Sequence, residues 1–244
     1  MRITRIYTDQ ALHSDTVVTL ESEPSRHLAR VLRLGVGDRL TLFNGGAGEY
    51  PAEITAIDKS CVHARTGTHL RAERESLLNL HLGIAISRGE RMDWIVQKST
   101  ELGVSSLTPL YTEHGGVRLA GERAGKKLAH WRKIAISACE QCGRNRLPDI
   151  HDLQTLEAWL HSTAAERKYV LHHRAPGVPR ANAAPASIAL LVGPEGGLSE
   201  REIASAEQAG YSSLRLGPRV LRTETAPLAA IAILQAYWGD MSPE

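Results

Sequence analysis

Two short stretches concentrate glycine, arginine and carboxylate side chains where apolar runs stop. The first is LLVGPEGGLSEREI, residues 190–203. An apolar run gives way to a Gly-Pro-Glu-Gly-Gly turn, and a serine then opens a charged segment. The second is LRLGPRVLRTETAP, residues 214–227. It again ends a strand on Leu-Gly and sets Arg219, Arg222 and Glu224 just beyond it. Glycine lets a ligand approach the main chain with no Cβ in the way. A tight turn alone would also call for glycine, so each stretch taken singly allows both readings. In open α/β sheets, ligands lie at the carboxyl ends of strands. Two glycine-bearing strand ends separated by one helix are expected to be neighbours in the sheet and to share a pocket. The dinucleotide fingerprint G-x-G-x-x-G is absent, because Pro194 follows the first glycine and the next two glycines are adjacent. G-x-x-x-x-G-K-[ST] is absent too. The pattern therefore points to a nucleoside rather than a pyrophosphate.

The elements that must position these residues follow from periodicity and punctuation. Ser199 and Glu202 have capping-box spacing, which starts a helix just after Ser199 and leaves residues 190–192 as a buried strand. From residue 80 onward strands alternate with helices. LHLGIAIS reads as a strand, ERMDWIVQKSTELG as a helix ending at Gly103, and VSSLTPLYT as a strand. A long helix over about 121–141 carries Leu128, Trp131, Ile134, Ala135 and Ala138 on one side. Helix DLQTLEAWLHS, strands KYVLHH and ASIALLV, helix SEREIASAEQAG, strand YSSLRLG and a final helix over APLAAIAILQAYW complete the series. Repeated β-then-α spacing predicts a mostly parallel sheet covered on both faces.

The first 70 or so residues differ in texture. DTVVTL, DRLTLF and EYPAEITAI alternate apolar and polar residues between glycine turns and read as strands. Between the first two lies EPSRHLARVLRLGVGD, read as a helix with Leu28, Val31 and Leu32 on one face. Arg26, Arg30 and Arg33 share the opposite face beside His27, either as a solvated surface or as a stripe that contacts phosphates. The charged run HLRAERESLLN, residues 69–79, carries the expected linker.

Composition bounds the function. The chain has 244 residues, 42% of them hydrophobic, and only 11 aromatics, so its core must be mostly aliphatic. No apolar run approaches a membrane span, and MRITRIYTDQ has no apolar stretch of a secretory leader, so no membrane partner is expected. Three cysteines do not make a disulfide framework, which suits a reducing cytoplasm. Cys139 and Cys142 have C-x-x-C spacing, but no second pair follows and Cys61 is remote, so no metal site is expected.

Taken together, the two glycine stretches resemble the signature of the knotted SPOUT-class methyltransferases. More narrowly they resemble the RsmE family, which methylates N3 of a uridine in 16S small-subunit ribosomal RNA. RHLARVLRLGVGD, ISRGERMDWIVQKSTELGVSSLTPL and KIAISACEQCGRNRLP fall in that family's order and spacing, so the likeness covers nearly the whole chain. It implies a small N-terminal PUA-like RNA-binding β-barrel over residues 1–72. It further implies an α/β SPOUT methyltransferase domain over 76–244, with a deep trefoil knot within about 168–238. A cytoplasmic homodimer and the cofactor S-adenosylmethionine are implied as well. Carried over by position, Leu171 and His172 form the first cofactor loop, although His172 read alone is equally a strand-end residue. Val192, Gly193, Pro194, Glu195, Gly196 and Gly197 form the second loop. Leu216, Gly217, Val220 and Leu221 surround the adenine. The sequence departs from the family at His114, where arginine is usual.

For catalysis the resemblance implies methyl transfer to a uracil nitrogen that first has to lose its proton. Arg222 is expected to stabilise the resulting anion, and Glu224 is expected either to act as a base or to orient Arg222. RNA contacts are expected from Arg2 and Arg5, from Arg26, His27, Arg30 and Arg33, and from Arg88, Arg144 and Arg146. The partner is 16S ribosomal RNA or the small ribosomal subunit. A protein that keeps the fold and assists ribosome assembly without catalysis is the alternative reading.

Overall fold

The computed structural model describes residues 3–59, 61–172, 175 and 183–241, and the chain divides into two compact units. The N-terminal unit comprises Met1–Glu75 together with Cys139–Leu147; the C-terminal unit comprises Ser76–Ala138 and Pro148–Glu244.

In the N-terminal unit, β1 (Thr4–Tyr7), β2 (Val17–Thr19), β3 (Arg39–Phe43), β4 (Tyr50–Ile57) and β5 (Val62–Thr66) form one sheet in the order β1-β3-β4-β5-β2. Only the β1–β3 pair is parallel. Alternate residues turn inward, so Leu40, Leu42, Ala52, Ile54, Val62 and Ala64 meet Ile6, Val18 and Leu20 in one aliphatic core. The helical segment between β2 and β3 departs from the straight amphipathic helix expected there. Helix α1 (Ser22–Arg26) gives way at once to a π-helical turn over His27–Val31, and Arg33 adopts a left-handed φ of 56°. The wider turn breaks the 3.6-residue face. Leu28 is fully buried, while Val31 and Leu32 are 65% and 39% exposed. Arg26, His27, Arg30 and Arg33 are all exposed, but they curve with the chain instead of sharing one helix face.

The C-terminal unit explains why its strands read as continuous apolar runs. In β10 (Arg167–Leu171) and β11 (Ser187–Val192), consecutive side chains enter opposite cores. Tyr169, Ile188, Leu190 and Val192 join one core, and Val170, Ala189 and Leu191 join the other. A strand buried on both faces has no polar alternation to show. With β6 (Asn79–Ala85), β7 (Ser106–Tyr111), β8 (Asp149–Ile150), β9 (Gln154–Thr155) and β12 (Ser212–Leu214) they make a seven-stranded sheet. Its order is β12-β10-β11-β6-β7-β8, with β9 also on β7, and every pair is parallel. One face is packed by α2 (Arg91–Glu101), α3 (Gly121–Cys142) and α6 (Thr225–Trp238) through Ile95, Val96, Trp131, Ala230 and Ile231. The other is packed by α4 (Leu156–Ser162) and α5 (Glu200–Gln208) through Trp159, Leu160 and Ala206.

Candidate active site

The two glycine-bearing strand ends are not sheet neighbours. Tyr169 of β10 pairs with Leu190 of β11 on one side and with Ser212 of β12 on the other, so β10 separates them. The crossover through α5 carries the chain past β10 to its far side. This order sets the end of β10, at Leu171 and His172, between the other two strand ends. His172 N–H donates to the Leu214 carbonyl at 2.9 Å, which fixes the end of β10 against the end of β12.

These ends surround one cleft of about 600 Å³. Leu171 and His172, the Val192–Gly197 turn, and Leu216, Val220, Leu221, Arg222 and Glu224 all line it. Gly217 stands within the third loop with a φ of 98° but is not itself in the wall. The lining combines buried aliphatic side chains such as Val192 and Leu214 with the charged groups of Arg91, Glu195 and Arg219. Val220 and Arg222 are exposed, and Arg222 has no ion-pair partner among the described residues.

The turn after β11 is closed by a Gly197 N–H to Pro194 carbonyl hydrogen bond of 2.8 Å. A Cβ on Gly193 would lie 2.9 Å from both Leu198 N and Leu198 Cγ, so the folded-back chain itself demands glycine there. Beyond the turn, Ser199 Oγ accepts from Glu202 N–H at 3.1 Å and Glu202 returns to Ser199 N–H at 2.9 Å, completing the capping box. The other Glu202 carboxylate oxygen accepts from Glu113 N–H at 2.8 Å. His114 Nδ1 lies 3.2 Å from the Gly197 carbonyl oxygen. His114 thus braces the glycine turn from the β7 side.

The residue that sequence reading passed over is Arg91. Its Nη1 donates to Glu195 Oε1 at 2.7 Å, and its Nε lies 3.7 Å from Glu224 Oε2. Partial burial pushes the Glu195 carboxyl up, but its own backbone N–H, the Arg91 guanidinium and the Arg88 N–H outweigh that and hold it below the usual carboxylate value. Topology gives the missed signal. Strand β6 pairs with β11, so the helix that follows β6 begins beside the β11 turn, and Arg91 is the first residue of that helix.

The arginines expected at RNA fall into distinct settings. Arg2 lies outside the described residues. Arg26, His27, Arg30, Arg33 and Arg88 are exposed. Arg146 is 56% exposed and pairs with Glu73 at 3.0 Å. Arg5 and Arg144 turn inward. The Arg5 side chain is 9% exposed, pairs with Glu49, donates to Asn145 Oδ1 at 2.6 Å and lies over the Phe43 ring. The Arg144 side chain is 5% exposed and forks onto Glu75 at 2.6 and 3.1 Å. Both are spent on internal bonds within the N-terminal unit, so neither presents a free guanidinium to a ligand. At the end of α3, a hydrogen bond from Cys142 and burial together push the Cys139 thiol up, which removes it as a nucleophile. Among the described residues no group of three or more His, Cys, Asp or Glu side chains is disposed to hold a metal.

Comparison with known proteins places this architecture. The pattern of the RNA methyltransferase domain family matches residues 73–235, and that of the RNA methyltransferase PUA domain matches residues 20–66. Ribosomal RNA small subunit methyltransferase E of Buchnera aphidicola subsp. Schizaphis graminum is 38% identical over 99% of both chains. This chain belongs to the ribosomal RNA small subunit methyltransferase E family. A Neisseria gonorrhoeae member of the ribosomal RNA small subunit methyltransferase E family, solved bound to S-adenosylmethionine, has a TM-score of 0.92 at 38% identity. The likeness covers 99% of this chain and 100% of that one. A Legionella pneumophila protein solved with S-adenosylmethionine has a TM-score of 0.95 at 41% identity, covering 98% of this chain and 100% of that one.

Proposed function

We propose that this protein transfers the methyl group of S-adenosylmethionine to N3 of a uridine in 16S small-subunit ribosomal RNA. The observation that carries the reading is the convergence of three parallel strand ends on one cleft of about 600 Å³, a size suited to a small ligand. The cleft's chemistry fits this cofactor. Leu171, Val192, Leu216 and Leu221 offer aliphatic surface to an adenosine. The Val192–Gly197 turn offers main-chain groups, and Glu195 and Glu224 are the carboxylates within reach of a cationic donor. Gly217 and Val220 complete the adenine loop.

When bound, the cofactor supplies a methyl group already activated on a sulfonium. The protein's own residues have two tasks. The first is orientation of the uracil against that methyl, which can supply several kcal/mol of the barrier. The second is management of the N3 proton. Arg222, exposed on the rim, stabilises negative charge on the uracil oxygens as N3 gives up its proton. Glu224 lines the same cleft and is the carboxylate that can take that proton. The target base has to leave its stack to reach the cleft.

RNA is held by the exposed set Arg26, His27, Arg30, Arg33 and Arg88, with Arg146, while Arg5 and Arg144 serve the fold. In this reading residues 1–72 close into a PUA-like barrel. Residues 76–244 form a SPOUT domain whose chain is knotted within about 168–238, a stretch that includes residues outside the described ones. The protein acts in the cytoplasm as a homodimer.

Calorimetry with S-adenosylmethionine and NAD tests the cofactor. Mass spectrometry of 16S RNA from a deletion strain, with and without the gene restored, tests the reaction. We expect micromolar binding of the first ligand only and loss of one methylated uridine. Absence of S-adenosylmethionine binding would overturn the reading. Binding without any change in the RNA would favour the assembly role.

A further inference from the structure

We infer that the exposed side of α3 is a second RNA-binding surface, one that tracks the phosphate backbone; this rests on the proposed action on ribosomal RNA. Residues 121–138 of the helix carry five cations, Arg123, Lys126, Lys127, Arg132 and Lys133, against the single acid Glu122. The whole chain has a net charge of only +2, so the excess is local.

The inward side of α3 is occupied by Leu128, Trp131 and Ala135, which pack on the sheet. Arg123, Lys126 and His130 are exposed on the outer side, and Lys127 is partly so. Arg123 and Lys127 follow one another at i and i+4 with Lys126 beside them, and His130, one turn on, is held by Asp93 Oδ2 of α2 at 2.8 Å and marks the end of the band. At 1.5 Å of rise per residue Arg123, Lys126 and Lys127 span roughly 6 Å along the axis, and their long side chains extend that reach to two or three backbone phosphates of a single strand.

A solvated helix built only for stability would be charged differently. Acids favour the first turns of a helix and cations the last, because of the backbone dipole. Here Glu122 is the sole acid of the first turn, three cations crowd the first two turns, and the last turn has no basic residue. Arg123 and Lys127 are like charges at i and i+4, which repel. Glu122 offsets Lys126 at 2.7 Å. Gly125 belongs to the same stretch, and a Cβ there would meet nothing within 4 Å. Packing therefore does not require this glycine, and glycine weakens a helix. The like-charge crowding and the reversed dipole arrangement cost the free protein a little, and both are offset when a polyanion lies along the band. RNA fits that demand because repeated phosphates match repeated, exposed cations with no need for a shaped pocket.

The test uses full-length protein, in-vitro-transcribed 16S RNA and filter binding across a KCl series. The variant Arg123→Gln/Lys126→Gln/Lys127→Gln keeps good helix formers at exposed positions. Its salt slope should fall by about 2, since each single-strand phosphate contact contributes about 0.7, and its affinity at moderate salt should fall at least about tenfold. S-adenosylmethionine affinity and melting temperature should stay at wild-type values. The charge-conserving variant Arg123→Lys/Lys126→Arg/Lys127→Arg should bind as wild type does. A glutamine variant with unchanged slope and affinity, beside a wild type that methylates the RNA, overturns the surface and leaves the proposed reaction standing. A wild type that binds without methylating, with the slope still lost in the variant, overturns the reaction and upholds the surface.

Discussion

Arg91 and Glu195 form a 2.7 Å ion pair that joins the first residue of α2 to the glycine turn after β11. The same guanidinium lies 3.7 Å from Glu224, in the loop after β12. One side chain from outside the glycine stretches thus latches two walls of the cleft. Arg91→Ala should weaken S-adenosylmethionine binding by up to about fivefold, the range of partly exposed ion pairs, with little change in melting temperature. Arg91→Lys should recover only part of this, because a point charge cannot serve both carboxylates. Calorimetry checks both. The Glu195 carboxyl is held below its ordinary value of 4.5, so its pairing is fully present above that pH. It is lost only as pH falls through the lowered value. Wild-type affinity in the Ala variant would remove the latch from the site.

The residues of the latch show what the sequence could and could not disclose. Glycines at 193, 196, 197 and 217, and the Ser199–Glu202 box, are local signals, because turn and cap chemistry depend on neighbours in the chain. The separation of β11 and β12 by β10 is not local. Nothing in either glycine stretch encodes which strand the crossover through α5 skips, so the third wall, at Leu171 and His172, entered through the family resemblance. Arg91 was hidden for the same reason, being brought to Glu195 by the β6–β11 pairing. In the N-terminal unit the wider turn at His27–Val31 breaks a helical face that 3.6-residue periodicity predicts. The inward turn of Arg5 and Arg144 depends on Glu49 and Glu75, far away in sequence.

Gly193 separates the two reasons for glycine in the turn. Its Cβ would press on Leu198 N at 2.9 Å, and backbone cannot rotate aside as a side chain can. Gly193→Ala should therefore shift the turn, lowering stability by about 1–3 kcal/mol and cofactor affinity more than about tenfold. Thermal melts and calorimetry on the same sample read the two effects. A variant that melts and binds like wild type would mean the turn has more room than its contacts indicate.

Burial divides the N-terminal arginines into two groups with opposite signatures. Arg30→Ala/Arg33→Ala should leave folding intact and lower the salt slope of RNA binding by roughly 1–2. Arg144→Ala strands Glu75 without its bidentate partner and should cost about 3–5 kcal/mol, lowering the melting temperature by on the order of 10 °C. Salt-dependent binding and thermal unfolding distinguish the groups. An Arg144 variant that is fully stable but defective in salt-dependent RNA binding would return it to the RNA surface.

His81 gives the C-terminal unit a dependence on pH. Burial, with the neighbouring His151 as a smaller contributor, pushes its imidazole from 6.5 down to about 4. Its Nε2 lies 2.8 Å from Thr108 Oγ1 and 3.3 Å from Trp159 Nε1, whose N–H it accepts when neutral. Between those two values the unfolded chain binds a proton that the folded chain refuses, so stability rises with pH across that window. The contribution is fully present above pH 6.5 and is lost as pH falls toward 4, with a ceiling of about 3 kcal/mol. Melting temperatures measured from pH 7.5 to 4.5 should fall in wild type and fall less in His81→Gln. Parallel curves would assign the acid sensitivity elsewhere.

Arg222 separates chemistry from cofactor binding. Its guanidinium stands on the exposed rim with no carboxylate partner among the described residues, while its carbonyl accepts from Thr225 and Ala226 N–H at 2.9 Å to start α6. Replacing the side chain therefore leaves the backbone of the adenine loop in place. Arg222→Ala should lower kcat at least about 100-fold, the scale expected when a group that stabilises developing charge is removed. S-adenosylmethionine affinity should change less than about threefold, because this guanidinium acts on the acceptor base and not on the donor. Arg222→Lys keeps the charge without the fork of donors and should recover only part of the rate. Single-turnover methylation of 16S RNA and calorimetry with S-adenosylmethionine measure the two quantities separately. If turnover persists in the Ala variant, stabilisation of the uracil oxygens belongs to another cation, and Arg219, which lines the same cleft, is the next to replace.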